Sequence, residues 1–196
     1  ATDAQEQATS AEMTDEERIA LLMGQWSEPQ AAEYESHGDA LLNALLDIHN
    51  ERFAQARSAL EEILSEASTP KYLWLEVGRA RILDDDLPGG REALDSFLGS
   101  LSEGEANEPR LAVNLTLARL ADAAGEFEAA TGYFEAAVGA VPDDYRPYLA
   151  MGAFLRDKGH ADEAREVRTS ALQLSKSSAV DRRLREELGV ASKDVG

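Results

Sequence analysis

Three histidines, His37, His49 and His160, are the side chains of this chain best suited to acid–base or metal chemistry near neutral pH. None has a second ligand three or four residues away with a further ligand downstream, which is what a helical metal site needs. They read as surface or turn residues. Asp84, Asp85 and Asp86 are consecutive, whereas a calcium loop alternates its ligands, turns on a central glycine and closes on Glu. That run reads as a solvated acidic loop. Pro88-Gly89-Gly90 is not followed by the Lys-Ser/Thr pair of a phosphate cradle, and there is no Gly-x-Ser-x-Gly elbow. Cysteine is absent, which removes disulfides, thiolate ligands and thiolate nucleophiles. Carboxylates are plentiful, but no spacing pairs them for acid–base work. The expectation is a chain with no catalytic residue, no metal site and no cofactor.

One constellation rises above this background. Tyr72, Leu75, Arg79 and Ile82 share the three-, four- and seven-residue spacing that puts side chains on one helix face. Ala112, Leu115, Arg119 and Asp122 repeat it, and Arg146, Leu149, Ala153 and Arg156 repeat it again. An apolar ladder beside a row of arginines suits a peptide with apolar anchors and a carboxylate, because Arg binds carboxylates bidentately. A second reading stays open: the arginines pair with Glu76, Asp122 and Asp157 and hold the structure together.

These stripes need helices to carry them. β-branched residues are sparse, and no alternating run is bounded by a two-residue turn. From about residue 30 the chain reads as helices of about 11–15 residues. They are cut at His49-Asn50, Thr69-Pro70, Asp84 to Gly90, Gly104 to Pro109, Gly125, Pro142 to Asp144, Gly159 and Ser175 to Ser178. Breaks this short make antiparallel helix pairs. Thr14 and Glu17 have capping-box spacing ahead of Ile19, Leu21, Leu22 and Trp26, and Ser27 with Pro29 starts a second short helix.

The pairs repeat. Leu117-Ala118 matches Met151-Gly152, Gly125 matches Gly159, Ala130 matches Ala164 and Ala137 matches Ala171, each 34 residues apart. Trp74-x-x-Val77-Gly78 with Ala93-x-x-x-Phe97-x-x-Ser100 gives a looser copy, whose inter-helix loop Asp84–Gly90 reads about three residues too long. Leu41, Ala44, Leu45, Ile48, Ala56, Leu60 and Ile63 give a degenerate copy without aromatic or glycine. With Tyr148-x-x-Met151-Gly152 and Ala130-x-x-x-Phe134-x-x-Ala137 closing on Pro142, the chain resembles the tetratricopeptide repeat family over about residues 37–176.

The resemblance implies an all-α, right-handed α-solenoid of antiparallel helix pairs with capping helices at both ends. It also implies that the first helix of each pair lines a concave groove. Tyr72, Leu75, Arg79, Leu115, Arg119, Arg146, Leu149 and Arg156 are then the expected peptide-binding residues, with Leu75, Leu115 and Leu149 in matching places, as are Arg79 and Arg119. Some family members clamp the C-terminal carboxylate of chaperones with Lys and Asn on these helices. Arg79 and Arg119 stand in the Asn places here and the lysines are missing, so that clamp is not carried over.

The expected organisation is an acidic flexible tail (1–13), capping helices (14–36), four units (about 37–70, 71–110, 111–144 and 145–176), a terminal cap (177–189) capped by Ser178 and Asp181, and a tail (190–196). The net charge of −19, from 38 acids and 19 bases, disfavours nucleic acid and anionic membrane surfaces, and no apolar run suffices for membrane insertion. The expected function is a non-catalytic interaction scaffold, an adaptor or assembly factor gripping an acidic or C-terminal segment of a protein partner. The alternative is an accessory subunit of a larger complex, docked by its convex face or N-terminal segment. The start at Ala-Thr reads either as a processed product whose targeting segment is gone or as an artificially trimmed chain; on the first reading, with a faint likeness of 142–149 to organelle repeat proteins, the expected compartment is a plastid or a bacterial periplasm.

Overall fold

The computed structural model describes residues 14–175 and 178–189. The two expected tails lie outside these residues, as do the side chains of Ser178 and Asp181. Among the described residues there are eleven helices and no strand: α1 Asp15–Met23, α2 Glu28–Glu35, α3 Gly38–His49, α4 Phe53–Glu66, α5 Tyr72–Leu83, α6 Leu87–Ser100, α7 Asn107–Ala123, α8 Phe127–Ala140, α9 Tyr145–Asp157, α10 Ala161–Leu174 and α11 Ser178–Leu188. The chain forms two compact units that divide between Leu101 and Ser102. In the N-terminal unit, α3 pairs with α4 and α5 with α6, and α1 and α2 lie against them. In the C-terminal unit, α7 pairs with α8 and α9 with α10, and α11 packs on α10.

The same three-residue turn closes every pair, at 50–52, 84–86, 124–126 and 158–160. Its middle residue is left-handed: Glu51 (φ 59°), Asp85 (61°), Gly125 (76°) and Gly159 (88°). The next N–H reaches back five residues, Arg52 to Asp47 at 2.8 Å and Asp86 to Arg81, Glu126 to Ala121 and His160 to Leu155 at 2.9 Å. This is the Schellman closure, which satisfies carbonyls that a helix end otherwise leaves open. The middle residues are spaced 34, 40 and 34 apart, so the degenerate first unit keeps the full period, with Glu51 where glycine stands later.

The turn corrects the reading of the second unit in two ways. Its loop is not extended: α6 begins at Leu87, and the Asp86 carboxylate caps it by accepting the Gly89 N–H at 3.0 Å. Pro88 falls in the first turn, where its missing N–H costs nothing. Second, the small residue facing the partner helix is Gly90, not Ala93. A Cβ on Gly90 would lie 2.5 Å from Ile82 Cγ1 and 3.1 Å from the Gly78 carbonyl oxygen. The small pairs are therefore Ala44 with Ala56, Gly78 with Gly90, Ala118 with Ala130 and Gly152 with Ala164, all buried. The six extra residues of this unit lie beyond α6, mostly in a longer first part of α7.

The acidic run also has structural work. Asp84 and Asp86 both pair with Arg57 of α4, at 3.3 and 2.9 Å, while Asp85 supplies the left-handed residue. Among the described residues no three His, Asp or Glu side chains converge as for a metal ion.

The register predicts the cost of two substitutions. Gly90→Ala and Ala164→Leu each overpack a helix–helix contact and lower stability by about 1–3 kcal/mol. Gly125→Ala loses roughly 1 kcal/mol through its left-handed backbone alone. Urea unfolding midpoints check all three, and an unchanged midpoint for Gly90→Ala shows that the α5–α6 register is wrong.

Candidate functional site

The first helices of the four pairs, α3, α5, α7 and α9, carry the expected groove. In the N-terminal unit the chain's own α2 lies against this stripe. The first N–H groups of a helix have no intrahelical acceptor and sit at the positive end of its dipole. At α5 they meet the carboxylate of Glu33: Oε1 accepts from Lys71 and Leu73 at 3.0 and 2.8 Å, and Oε2 accepts from Tyr72 at 3.0 Å. One turn on, Tyr34 is 1% exposed, and its hydroxyl donates to Glu76 Oε1 at 2.7 Å. Trp26 meets the Tyr34 ring edge-on at 4.9 Å.

Burial, helped by the Glu76 carboxylate, pushes the Tyr34 hydroxyl well above its usual range, so it remains a donor. Burial likewise raises the Glu76 pKa, and the Tyr34 hydrogen bond and nearby Arg79 oppose that rise. Arg79 Nη1 stands 3.9 Å from Glu76 Oε2 with its side chain 57% exposed. A hollow of about 210 Å³ remains under Trp26, between Leu45, His49, Glu76 and Arg79. Of the predicted residues in this unit, Tyr72 is core, against Phe97, Leu75 is half-buried, and Arg79 sits at the rim.

In the C-terminal unit, Arg183 and Leu184 of α11 face the stripe of α9 across a hollow. Leu115 and Leu149 are half-buried, Arg119 is exposed, and Leu115 rests on a core of Ala118, Ala130, Phe134, Phe154 and Ala164. Arg146 Nε and Nη2 hold Asp144 and Glu108 at 2.5 to 3.0 Å, which keeps the Asp144 carboxyl below its usual range. Arg156 Nε and Nη2 hold Asp157. Asp122 pairs with Lys158 rather than with an arginine. Ion pairing thus accounts for part of the arginine row.

A hollow of about 430 Å³ brings Arg146, Leu149 and Arg156 together with Arg168 and Arg183, which the sequence reading missed. Both had a signal. Arg183 lies 34 residues after Leu149, so α11 continues the stripe. Arg168 lies 34 after Phe134, at the place filled by Leu60 and Leu94 in the earlier units. A charged residue where three copies have a buried apolar one is a departure worth noticing. Burial lowers the Arg168 pKa, and its neighbours Arg156 and Arg183 lower it further.

No protein-family profile and no curated protein matches the chain. Solved structures do. The C-terminal part of a TPR repeat-containing protein from Cytophaga hutchinsonii superposes with a TM-score of 0.60 at 14% identity over 76% of this chain; the match spans only 55% of that solved C-terminal part. MamA gives 0.63 at 17% identity, covering 86% of this chain and 98% of MamA. YrrB, described as a TPR protein with an unusual peptide-binding site, gives 0.59 at 16% identity over 81% and 79% of the two chains. At these identities the likeness shows the fold, which is all-α and of the tetratricopeptide-like α-solenoid class.

The Glu76 environment sets a pH dependence. A carboxyl with a raised folded pKa binds its proton more readily in the folded chain. That contribution is full below the ordinary value of 4.5 and is lost as pH rises through the folded pKa. Glu76→Gln keeps an acceptor for Tyr34 without the charge. Its stability advantage over the parent chain should therefore grow from pH 4.5 upward. Thermal melts of both proteins across pH check this, and a constant difference contradicts it.

Proposed function

We propose that the protein is a non-catalytic interaction scaffold, an adaptor or assembly factor that grips a segment of a protein partner on the first-helix face of its C-terminal unit. The observation that carries the reading is the pair of leucines in matching places on α7 and α9. Leu115 and Leu149 are both half-buried, and Leu115 packs on the buried core of Ala118, Ala130, Phe134, Phe154 and Ala164. Apolar side chains held half-open on a preorganised face gain the rest of their burial when a partner arrives, at about 25 cal/mol per Å² before the costs of association. The likeness to tetratricopeptide-type structures supports protein or peptide partners in general. Arg119 and Arg156 give the face a preference for acidic partners in a chain of net charge −19.

A permanent accessory subunit is the second reading. It is favoured by Leu21 and Met23 of α1, which are 57% and 41% exposed, as a docking surface on the N-terminal segment. Among the described residues no helix is long and apolar enough to cross a membrane.

The readings separate in affinity capture with mass spectrometry. Leu115→Asp with Leu149→Asp should release the partner, by about tenfold or more in affinity, while Leu21→Ser with Met23→Ser retains it. Retention by the first variant and loss by the second favours the accessory subunit.

A further inference from the structure

Among the described residues, four arginines line the hollow between α9, α10 and α11. They are gathered there in a protein with twice as many acids as bases. Its floor is apolar, made by Leu149, Ala150, Ala153 and Leu184. Gly152 makes the arrangement possible. A Cβ there would lie 2.4 Å from Arg168 Cγ, so only glycine lets the Arg168 stem cross the α9–α10 contact, where the earlier units bury Leu60, Leu94 and Phe134. The ion pairs to Asp144, Glu108 and Asp157 engage Nε and Nη2 of Arg146 and Arg156. A guanidinium has five N–H donors, so each can take a further carboxylate.

We propose that this hollow seats an acidic peptide segment with an apolar anchor. The anchor rests on Leu149 and Leu184, and the flanking carboxylates reach Arg156, Arg168 and Arg183. On this view α11 is a wall of the binding site as well as the end of the array. The proposal rests on the scaffold reading and adds the partner's chemistry and the residues that select it. A volume of about 430 Å³ falls within the range of sites that enclose a compact ligand, which here is one apolar side chain and the acids beside it. Charge decides the occupant: the same arginines repel a basic segment and give a neutral one no ion pair.

The test uses the full chain and a labelled synthetic peptide in which Glu residues flank one Leu, followed by fluorescence anisotropy. Binding is expected to weaken with salt, to vanish when Lys replaces Glu, and to fall when Leu is omitted. Arg168→Leu with Arg183→Ala should weaken it about tenfold or more, and Leu at 168 is the residue type of the matching positions, so the melt of this variant confirms that it folds. Equal binding of the Lys peptide, or binding indifferent to the two substitutions, overturns the proposal. So does tighter, Arg168-dependent binding of anionic vesicles or RNA. If the peptide does not bind while Leu115→Asp with Leu149→Asp still releases the captured partner, this site is wrong and the scaffold reading stands. If neither responds, both fall.

Discussion

Each helix pair depends on the close approach of two backbones at a pair of small residues. Gly78 and Gly90 show the constraint at its tightest, because a Cβ on either would press on the carbonyl of the other at 3.1 to 3.2 Å. That approach needs helices antiparallel within a three-residue turn, and the turn needs a left-handed middle residue. Gly125 and Gly159 adopt it readily. Glu51 and Asp85 adopt it against their own preference, because the Schellman hydrogen bonds and the buried contacts beyond outweigh a strain of about 1–2 kcal/mol. Once one face of each first helix is committed to its partner, the opposite stripe is left for other uses.

The two units use that stripe differently. In the N-terminal unit the chain supplies its own occupant: a carboxylate on the open amides of α5 and a buried tyrosine on a buried carboxyl. Both are contacts a bound partner could make, made here within one molecule. In the C-terminal unit Leu149 lines a hollow together with Arg146, Arg156, Arg168 and Arg183.

Periodicity carried most of the fold into the sequence. The 34-residue offsets between 117–137 and 151–171 placed α7 to α10, and the Thr14–Glu17 spacing gave the capping box of α1. The second unit misled because glycine and proline read as a loop, whereas Asp86 turns Pro88-Gly89-Gly90 into a first helical turn. The first unit looked degenerate because Glu51 sits in a conformation its type does not announce. The site was legible only in part. Leu115, Leu149 and Arg156 follow from helical spacing, but the docking of Tyr34 on Glu76 joins residues 42 apart, and no local pattern reports such a contact. Arg168 was visible as an exception to the repeat, which a reading that sought matches passed over.

The central claim, that the N-terminal helices occupy the α5 face, has a direct observable. Amides of a first helical turn normally exchange quickly, since no backbone acceptor holds them. Lys71, Tyr72 and Leu73 donate instead to Glu33. Hydrogen exchange followed residue by residue should find these three amides slowed in the parent chain and fast in Glu33→Ala, with the amides later in α5 little changed. Equally fast exchange in both proteins would contradict the account, because α2 would then not be seated on α5.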